Sequence, residues 1–320
     1  ARGRLADALD RLEQPVEAFA QYAAANQLQA ELSRKAPTLG QGQYARRNAQ
    51  RIHGALDALA ASAPAASSVT ADGPVFLLGF PRSGTTLLDR MLCAHPTIES
   101  VEEKPALVDA FGDFIQTADG LERLPDLSDE QRASYGDAYR KRLSVEVKSD
   151  AAVLIDKLPL NTMFLPLIAH LLPNARVIFV VRDPRDVLLS KKYKWKRSYL
   201  GDSRFPLKAA MLAWANYHPL LTARLWVSAV RAGKSAPDNV QFMQVRYEDF
   251  LTAPEETLQR ICELAGLNYS AAMLDVPRVG SSVKADSSQR GISRDSAGRW
   301  RAGGLNSTEV AICQRVAGLE

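Results

Sequence analysis

Apolar and polar positions change their spacing along the chain, and from residue 74 onward short apolar runs alternate with segments of helical spacing. Residues 75–78 and 152–159 are apolar runs of strand length, and VQFMQVRYEDF at 240–250 predicts a further strand. Residues 175–183, ARVIFVVRD, form an unbroken β-branched run that is typical of the middle of a parallel sheet. These runs predict buried strands rather than exposed ones.

Helical spacing fills the intervals between these strands. It begins at Thr85 after the first strand, and LNTMFLPLIAHLL follows the second. The other predicted helices are a mostly helical stretch over 105–148 with turns around Pro125 and Gly136, a helix opened by Pro184, 207–231, and a helix from Pro254 to Gly266. The order βαβα predicts an α/β fold in which helices flank a parallel sheet. Ligands of such sheets bind at the carboxyl ends of the strands, and polar clusters follow the strands here.

The first 60 residues have a different pattern, which predicts a small α-helical segment. Two helices are expected within residues 4–34, with a break at Gln14 and Pro15. Their apolar stripes contain Leu5, Leu9 and Leu12 in the first helix and Ala18, Phe19, Tyr22 and Ala25 in the second. This order resembles one tetratricopeptide repeat, although any amphipathic helical hairpin fits the same pattern. Since a single repeat cannot bury its own face, preceding repeats or packing on the next domain are expected.

Residues 61–73, ASAPAASSVTADG, are small and polar and contain Pro and Gly, which is typical of a linker. The predicted organisation is therefore a tetratricopeptide-like segment over 1–60, a linker over 61–73 and one α/β domain over 74–320.

Composition restricts the classes of function only mildly. The 320 residues carry a formal net charge of +4, which suits an anionic ligand but is too small by itself to indicate nucleic acid as a partner. Cys93, Cys262 and Cys313 lie far apart and lack metal-ligand spacing, so reduced core cysteines in a cytoplasmic protein are expected. Since no apolar run reaches about 20 residues, no membrane span is predicted. The chain shows no signal peptide, and its start at Ala1 leaves open whether an upstream segment has been removed.

The turn after the first strand, GFPRSGTT at 79–86, has the glycine spacing of a phosphate-binding loop. Thr85 stands where such loops carry the lysine that reaches the terminal phosphates of a nucleoside triphosphate, and the positive charge lies at Arg82 instead. The predicted phosphate cradle consists of backbone N–H groups together with Ser83, Gly84, Thr85 and Thr86. The sheet is therefore expected to be of the P-loop type, and a tight turn that merely needs glycine is the alternative.

A second polar cluster, VVRDPRDVLLS at 180–190, follows the β-branched strand. Arg182 ends that strand, and Ser190 lies two helical turns further on. A guanidinium fork and a hydroxyl suit a second phosphate group, separate from the one in the loop. Two phosphate sites on neighbouring strands indicate a nucleotide that is phosphorylated at both ends.

FPRSGTT followed about 100 residues later by RDPRDVLLS resembles the sulfotransferases that use 3′-phosphoadenosine 5′-phosphosulfate (PAPS). The likeness covers residue 74 to about 304, and it is greatest for the branch of tyrosylprotein sulfotransferases and bacterial tetratricopeptide-repeat sulfotransferases. It implies that the loop binds the 5′-phosphosulfate side, that Arg182 and Ser190 bind the 3′-phosphate, and that no metal is obligatory. The implied activity moves the sulfonate group of PAPS to a hydroxyl or amine and leaves adenosine 3′,5′-bisphosphate.

The same resemblance implies catalytic roles for individual side chains. In AHPTIESVEEKP, Glu103 matches the general base of the branch, and Glu102 is the neighbouring alternative. Lys157 matches a lysine that neutralises the bridging oxygen of the leaving group, and Asp156 is placed to orient Lys157 or the acceptor. Arg82 supplies positive charge to the same centre. Solvated acids at a helix start, and a surface lysine at a strand end, are the alternatives.

Further nucleotide contacts are implied for Tyr247, for which packing is the alternative, and for Arg299 and Trp300 near the C-terminus. Residues 182–197 carry seven basic and two acidic side chains, and a solvated helix face or the lining of an acceptor cleft explains them equally well. The expected acceptor is a carbohydrate, a protein or a small metabolite, and an anionic acceptor fits this charge. A P-loop nucleotide kinase and a repeat-containing scaffold with an inactive nucleotide fold are the competing hypotheses.

Overall fold

The computed structural model describes most of the predicted α/β domain and scattered parts of the segment before it. The described residues are 5, 9, 12, 14, 16–21, 23, 24, 54, 56, 58, 59, 73–117, 119–147, 151–200, 218–277 and 290–318, with the side chains of 195–200 left out. The chain forms two compact units, one of residues 1–56 with 109–124 and one of residues 57–108 with 125–320.

A five-stranded parallel sheet forms the centre of the second unit. The strands are β1 (Val75–Gly79), β2 (Ile98–Glu102), β3 (Val153–Lys157), β4 (Arg176–Val181) and β5 (Gln241–Arg246). Their order is β2-β3-β1-β4-β5, and every neighbouring pair is parallel. The chain passes from β3 to β4 across the central strand β1, so the carboxyl ends of these three strands form the crevice in which ligands of such sheets bind.

The helices begin and end at residues whose local chemistry explains the boundary. The main helices are α1 (Thr85–Leu92), α2 (Asp129–Glu146), α3 (Leu165–Leu171), α4 (Pro184–Leu200), α5 (Pro219–Lys234), α6 (Tyr247–Thr252), α7 (Pro254–Ala265) and α8 (Ser307–Ala317). Short helical turns lie at Val108–Ala110, Phe111–Ile115, Gly120–Arg123, Pro159–Phe164, Ala271–Leu274, Arg294–Ser296 and Arg299–Ala302. Proline opens α4, α5 and α7, a capping box at Ser128 starts α2, and the left-handed Gly266 ends α7.

Helices cover both faces of the sheet because every strand places alternate side chains on opposite faces. On one face, Leu77 packs in a buried cluster with Leu88 of α1 and Leu258 of α7. On the other face, Phe76 stacks on Tyr139 of α2 with ring centroids 5.6 Å apart. The carboxyl edge of the sheet is left open between these layers, where the loops of the candidate site lie.

The predicted α/β fold with a parallel sheet is confirmed, but one strand is not predicted and two local assignments are wrong. The sequence does not predict β2, because IESVE is short, half polar and at the edge of the sheet. Gly136 lies inside α2 rather than in a turn. The strand expected over 240–250 ends at Arg246, since Tyr247 begins α6. The first part of the helix expected over 207–231 lies outside the described residues.

The described residues of the N-terminal segment agree with a helix but do not identify a repeat. Residues 16–21 are helical, and Ala18 is buried. Phe19, from the same predicted stripe, is 59% exposed. Tyr22, Ala25 and all of the expected linker before Gly73 lie outside the described residues. The tetratricopeptide assignment and the predicted domain boundaries therefore stay predictions.

The cysteines only partly follow the expectation from composition. Cys262 and Cys313 are buried free thiols, whereas Cys93 at the end of α1 is exposed, so the prediction of a core position is wrong for Cys93. Within the described ranges no helix has the length and apolar content to cross a membrane. In that same part of the chain, no group of three His, Cys, Asp or Glu side chains is close enough together to hold a metal ion.

Candidate functional site

The turn between β1 and α1 is held in one conformation at the carboxyl edge of the sheet. The Gly79 N–H donates to the Thr162 hydroxyl at 2.9 Å, which anchors the start of the turn. Gly84 has a φ of +100°, and a Cβ there would come within 2.2 Å of the Tyr247 ring, so glycine is required. Arg82 has a φ of +78°, a conformation that few residues other than glycine adopt. A tight turn alone would not require the Tyr247 ring to lie against the Gly84 backbone.

The turn opens into a cleft of about 560 Å³, a size typical of small-molecule sites. The predicted site residues that line it are Arg82, Gly84, Thr85, Thr86, Glu103, Arg182, Ser190 and Tyr247. Ser83 and Lys157 are fully buried directly behind this lining, whereas Arg299 and Trp300 lie outside it. Most of the predicted site residues are thus brought to one place, although they come from segments that are far apart in the sequence.

Arg82, Arg182 and Ser190 meet in the cleft. The Arg82 Nε donates to the Ser190 hydroxyl at 3.0 Å. Arg182 donates from one Nη to the Arg82 carbonyl oxygen at 3.2 Å and from the other to the Ser296 carbonyl oxygen at 2.5 Å. Its guanidinium also lies 4.4 Å from the centre of the Tyr247 ring, whose hydroxyl shares a 2.8 Å hydrogen bond with the Ser296 hydroxyl. These contacts fix two guanidinium groups close together.

The electrostatics of this cluster favour an anion. Burial lowers the pKa of the Arg82 guanidinium, and the nearby charge of Arg182 lowers it further. A bound phosphate would offset this repulsion through charge-assisted hydrogen bonds. The Ser83 hydroxyl and the Arg182 Nε are buried and have no hydrogen-bond partner among the described residues. Since buried polar atoms are normally hydrogen-bonded, both indicate a polar ligand.

Glu102, Glu103 and Lys157 form a second polar group in the same cleft. Glu102 pairs with Lys157 in the register of β2 and β3. The Lys157 ammonium forms an ion pair with the Glu102 carboxylate and donates to the Thr86 hydroxyl at 3.3 Å. Glu103 follows with a φ of +54°, and its N–H donates to the Lys157 carbonyl oxygen at 2.8 Å. This left-handed residue turns the chain so that both glutamates line the cleft, and neither lies at the start of a helix. Lys157 is buried and does not lie on the surface.

Asp156 does not reach the cleft, so the expectation that it orients Lys157 or the acceptor is wrong. Adjacent strand residues point to opposite faces, and Asp156 is fully buried on the face that α2 covers. There the Tyr139 hydroxyl donates to its Oδ2 at 3.2 Å, while its Oδ1 has no partner among the described residues. Burial raises the pKa of Asp156 to about 7.

Replacing Asp156 by Asn should change how stability depends on pH. A carboxyl whose pKa is higher in the folded than in the unfolded chain binds more protons when folded, so its contribution to the free energy of unfolding falls as the pH rises. For Asp156 this window runs from about 4, the unfolded value, to about 7. Urea unfolding at pH 5 and pH 8 should therefore show Asp156→Asn gaining stability relative to the wild type at the higher pH. A difference between the two proteins that is the same at both pH values would contradict this account.

The C-terminal segment places a different residue in the cleft from those selected in the sequence. The backbone N–H of Trp300 donates to Asp186 Oδ1 at 3.0 Å, and the Arg185 guanidinium lies 4.0 Å from the centre of the Trp300 ring. Arg299 is exposed. Ser296 lines the cleft instead, and only its proximity to Arg299 and Trp300 in the sequence is a signal for it. The nucleotide contacts of Arg299 and Trp300 stay predictions.

The basic run on α4 is divided among different contacts. The Lys191 ammonium lies 5.6 Å from the centre of the Phe80 ring, and Lys192 forms an ion pair with Glu309 at 2.8 Å. Lys194 lines the cleft. The side chains of 195–200 lie outside the described part of the chain. The described part of the run therefore contributes one lysine to the cleft, and helical spacing alone does not single it out.

The chain matches known proteins over its α/β domain. A family model described as "Sulfotransferase family" matches residues 74–271. Nodulation protein NoeE of Sinorhizobium fredii is 31% identical over 216 residues, which cover 62% of this chain and 50% of that protein. A putative protein-tyrosine sulfotransferase of Caenorhabditis briggsae is 27% identical over 204 residues, which cover 62% of this chain and 68% of that protein.

The matched region makes up different shares of the related proteins. An uncharacterized protein of Aquifex aeolicus is 27% identical over 239 residues, 71% of this chain and 30% of that protein. The chain thus spans half or less of the length of the Aquifex and Sinorhizobium proteins. Among solved structures, the sulfotransferase domain of the Synechococcus PCC 7002 olefin synthase is 22% identical with a TM-score of 0.47, covering 77% of this chain and 93% of that domain.

Proposed function

This chain belongs to the sulfotransferase family, and from that premise we propose that it transfers the sulfonate group of PAPS to a hydroxyl or amine of an acceptor, leaving adenosine 3′,5′-bisphosphate. One observation carries the proposal. A loop without the usual lysine lies in one cleft with the guanidinium groups of Arg82 and Arg182 and with a glutamate that no described ion pair engages, Glu103. This set suits a bisphosphate nucleotide and a nucleophile that must lose a proton.

The residues present fit the donor. The buried Ser83 hydroxyl and Arg182 Nε are polar atoms that a phosphate would satisfy. The loop with Ser83, Thr85 and Thr86 would hold the 5′-phosphosulfate side, and Arg182 with Ser190 would hold the 3′-phosphate. Lys194, an exposed cation in the cleft lining, adds charge to the same lining. PAPS, when bound, supplies an electrophilic sulfur and a bisphosphate leaving group.

Glu103 is the proposed general base. Its side chain is exposed in the cleft, and its backbone is fixed by the hydrogen bond to β3. A carboxylate held at this position can accept the proton of an attacking hydroxyl or amine. Lys157 and Arg82 supply the positive charge that stabilises negative charge developing on the leaving group.

The acceptor part of the cleft combines apolar and cationic side chains. Leu87, Leu158 and Leu160 line it, and Leu160 is 51% exposed. Arg90 of α1 also lines it. An acceptor with an apolar body and a negative charge near its nucleophile would use both features. A tyrosine flanked by acidic residues has this chemistry, as has an anionic carbohydrate or small metabolite with an apolar portion.

The experiment that tests the proposed reaction follows ³⁵S from labelled PAPS into a set of acceptors. The set contains a tyrosine peptide with acidic neighbours, its neutral counterpart, an anionic and a neutral carbohydrate, and a simple phenol. We expect label in at least one acceptor, with anionic members preferred over their neutral partners. Transfer of ³²P from ATP to the same acceptors, without any transfer of ³⁵S, would replace this proposal by a kinase activity.

A further inference from the structure

We propose that Glu102 is a positioning residue for Lys157: its carboxylate holds the buried Lys157 ammonium behind the cleft lining, while Glu103 alone takes the proton of the acceptor. The inference rests on the proposed function, since it assigns separate duties within that site. The observation that supports this role is the ion pair between Glu102 and Lys157.

The ion pair is asymmetric in its surroundings. The Lys157 side chain is 0% exposed, whereas that of Glu102 is 57% exposed. An ammonium group in a protein interior is disfavoured unless a counter-ion and hydrogen bonds compensate it. The Glu102 carboxylate and the Thr86 hydroxyl, at 3.3 Å, provide that compensation. Without Glu102 the buried ammonium would lose its counter-ion, whereas without Lys157 the exposed carboxylate would still be solvated by water.

The charged groups around Lys157 leave Glu102 as its counter-ion. From the end of β2 these groups are Glu102 and Glu103, and from α1 they are Asp89 and Arg90. Burial raises the pKa of Asp89, and among the described contacts none joins its carboxylate to the Lys157 ammonium. Neither β1 nor the turn Pro159–Phe164 carries a titratable side chain. On the opposite face, Asp156 and Tyr139 bond to each other.

Backbone geometry separates the two glutamates. Glu102 is the last paired residue of β2 and lies opposite Lys157. Glu103 leaves the strand through its left-handed conformation, φ +54°, with its N–H bonded to the Lys157 carbonyl oxygen. The Glu102 carboxylate is engaged by the Lys157 ammonium. Among the described contacts, none ties the Glu103 carboxylate to a cation, so the duties divide between neighbours in sequence.

The first test needs neither donor nor acceptor. In a crystal structure of the ligand-free Glu102→Ala variant, the Lys157 ammonium should have moved from its place behind the cleft lining and lost its hydrogen bond to the Thr86 hydroxyl. The matched control Glu99→Ala, on the same strand but outside the cleft lining, should keep that hydrogen bond.

The second test is kinetic. Glu102→Gln should lower kcat by about 10- to 100-fold, with the KM for PAPS within about threefold of the wild type. Glu102→Asp, which keeps a carboxylate, should restore most of the wild-type kcat, and thermal melting verifies that each variant folds. An unmoved Lys157 side chain in Glu102→Ala together with an unchanged kcat in Glu102→Gln would overturn the inference. A wild-type protein that transfers no sulfonate would instead overturn the proposed function and this role with it.

Discussion

Glu103→Gln is expected to lower the turnover number for sulfonate transfer by about two to four orders of magnitude, the usual contribution of a general base. Glutamine has nearly the same shape as glutamate but cannot accept the proton that the acceptor must lose. The Glu103 N–H bond to the Lys157 carbonyl oxygen involves only the backbone, so the substitution leaves the turn intact. Steady-state kinetics with saturating PAPS measure the effect directly.

The same substitution should leave the affinity for adenosine 3′,5′-bisphosphate within about twofold, because the proposed contacts of the nucleotide lie on the loop and on β4 and α4. Glu99→Gln is the matched control, since it removes a carboxylate from the same strand outside the cleft lining and should keep wild-type turnover. Full turnover in Glu103→Gln would mean that the base lies elsewhere in the cleft.

Arg182→Ala is expected to weaken binding of adenosine 3′,5′-bisphosphate by about 10- to 150-fold, the range for losing a hydrogen bond to a charged group. The substitution removes the proposed fork for the 3′-phosphate. It also removes the donors to the carbonyl oxygens of Arg82 and Ser296, and the cation over the Tyr247 ring. The lost phosphate contact and the lost support of the cleft wall both weaken nucleotide binding. The effect should therefore appear in the KM for PAPS more than in kcat.

A control for Arg182 lies three residues further along the chain. Arg185 forms an ion pair with Asp183 at 2.6 Å and stacks on Trp300, and it does not line the cleft. Arg185→Ala should keep the nucleotide affinity within about threefold if the account is right. Equal weakening by both substitutions would mean that the cleft responds to disruption of the C-terminal segment rather than to loss of a phosphate contact.

The parts of the site that depend on local sequence could be predicted well. The loop can be predicted because its backbone geometry requires glycine, as the φ of +100° at Gly84 demonstrates. Arg182 and Ser190 could be located because the order of a strong strand and a following helix determines where they lie. Both predictions therefore rest on patterns within one continuous segment of the sequence.

The parts that depend on tertiary contacts could not be predicted from the sequence. β2 is a five-residue, half-polar edge strand, so its pairing with β3 leaves no periodic signal. Without that pairing, the ion pair of Glu102 with Lys157 cannot be foreseen. Asp156 was expected at the site because it precedes Lys157, yet the alternation of strand side chains sends it to the other face. Ser296 reaches the cleft through contacts with Arg182 and Tyr247, which lie far away in sequence.

Calorimetric titration of the wild-type protein with adenosine 3′,5′-bisphosphate, and separately with ATP and Mg²⁺, tests the central claim most directly. The two nucleotides differ in where their phosphates lie, and the cleft contains guanidinium groups in the loop and at the end of β4 but no lysine after Gly84. The account predicts saturable binding of the bisphosphate in the micromolar range and none of ATP with Mg²⁺ under the same conditions. Binding of ATP with Mg²⁺ and none of the bisphosphate would contradict it.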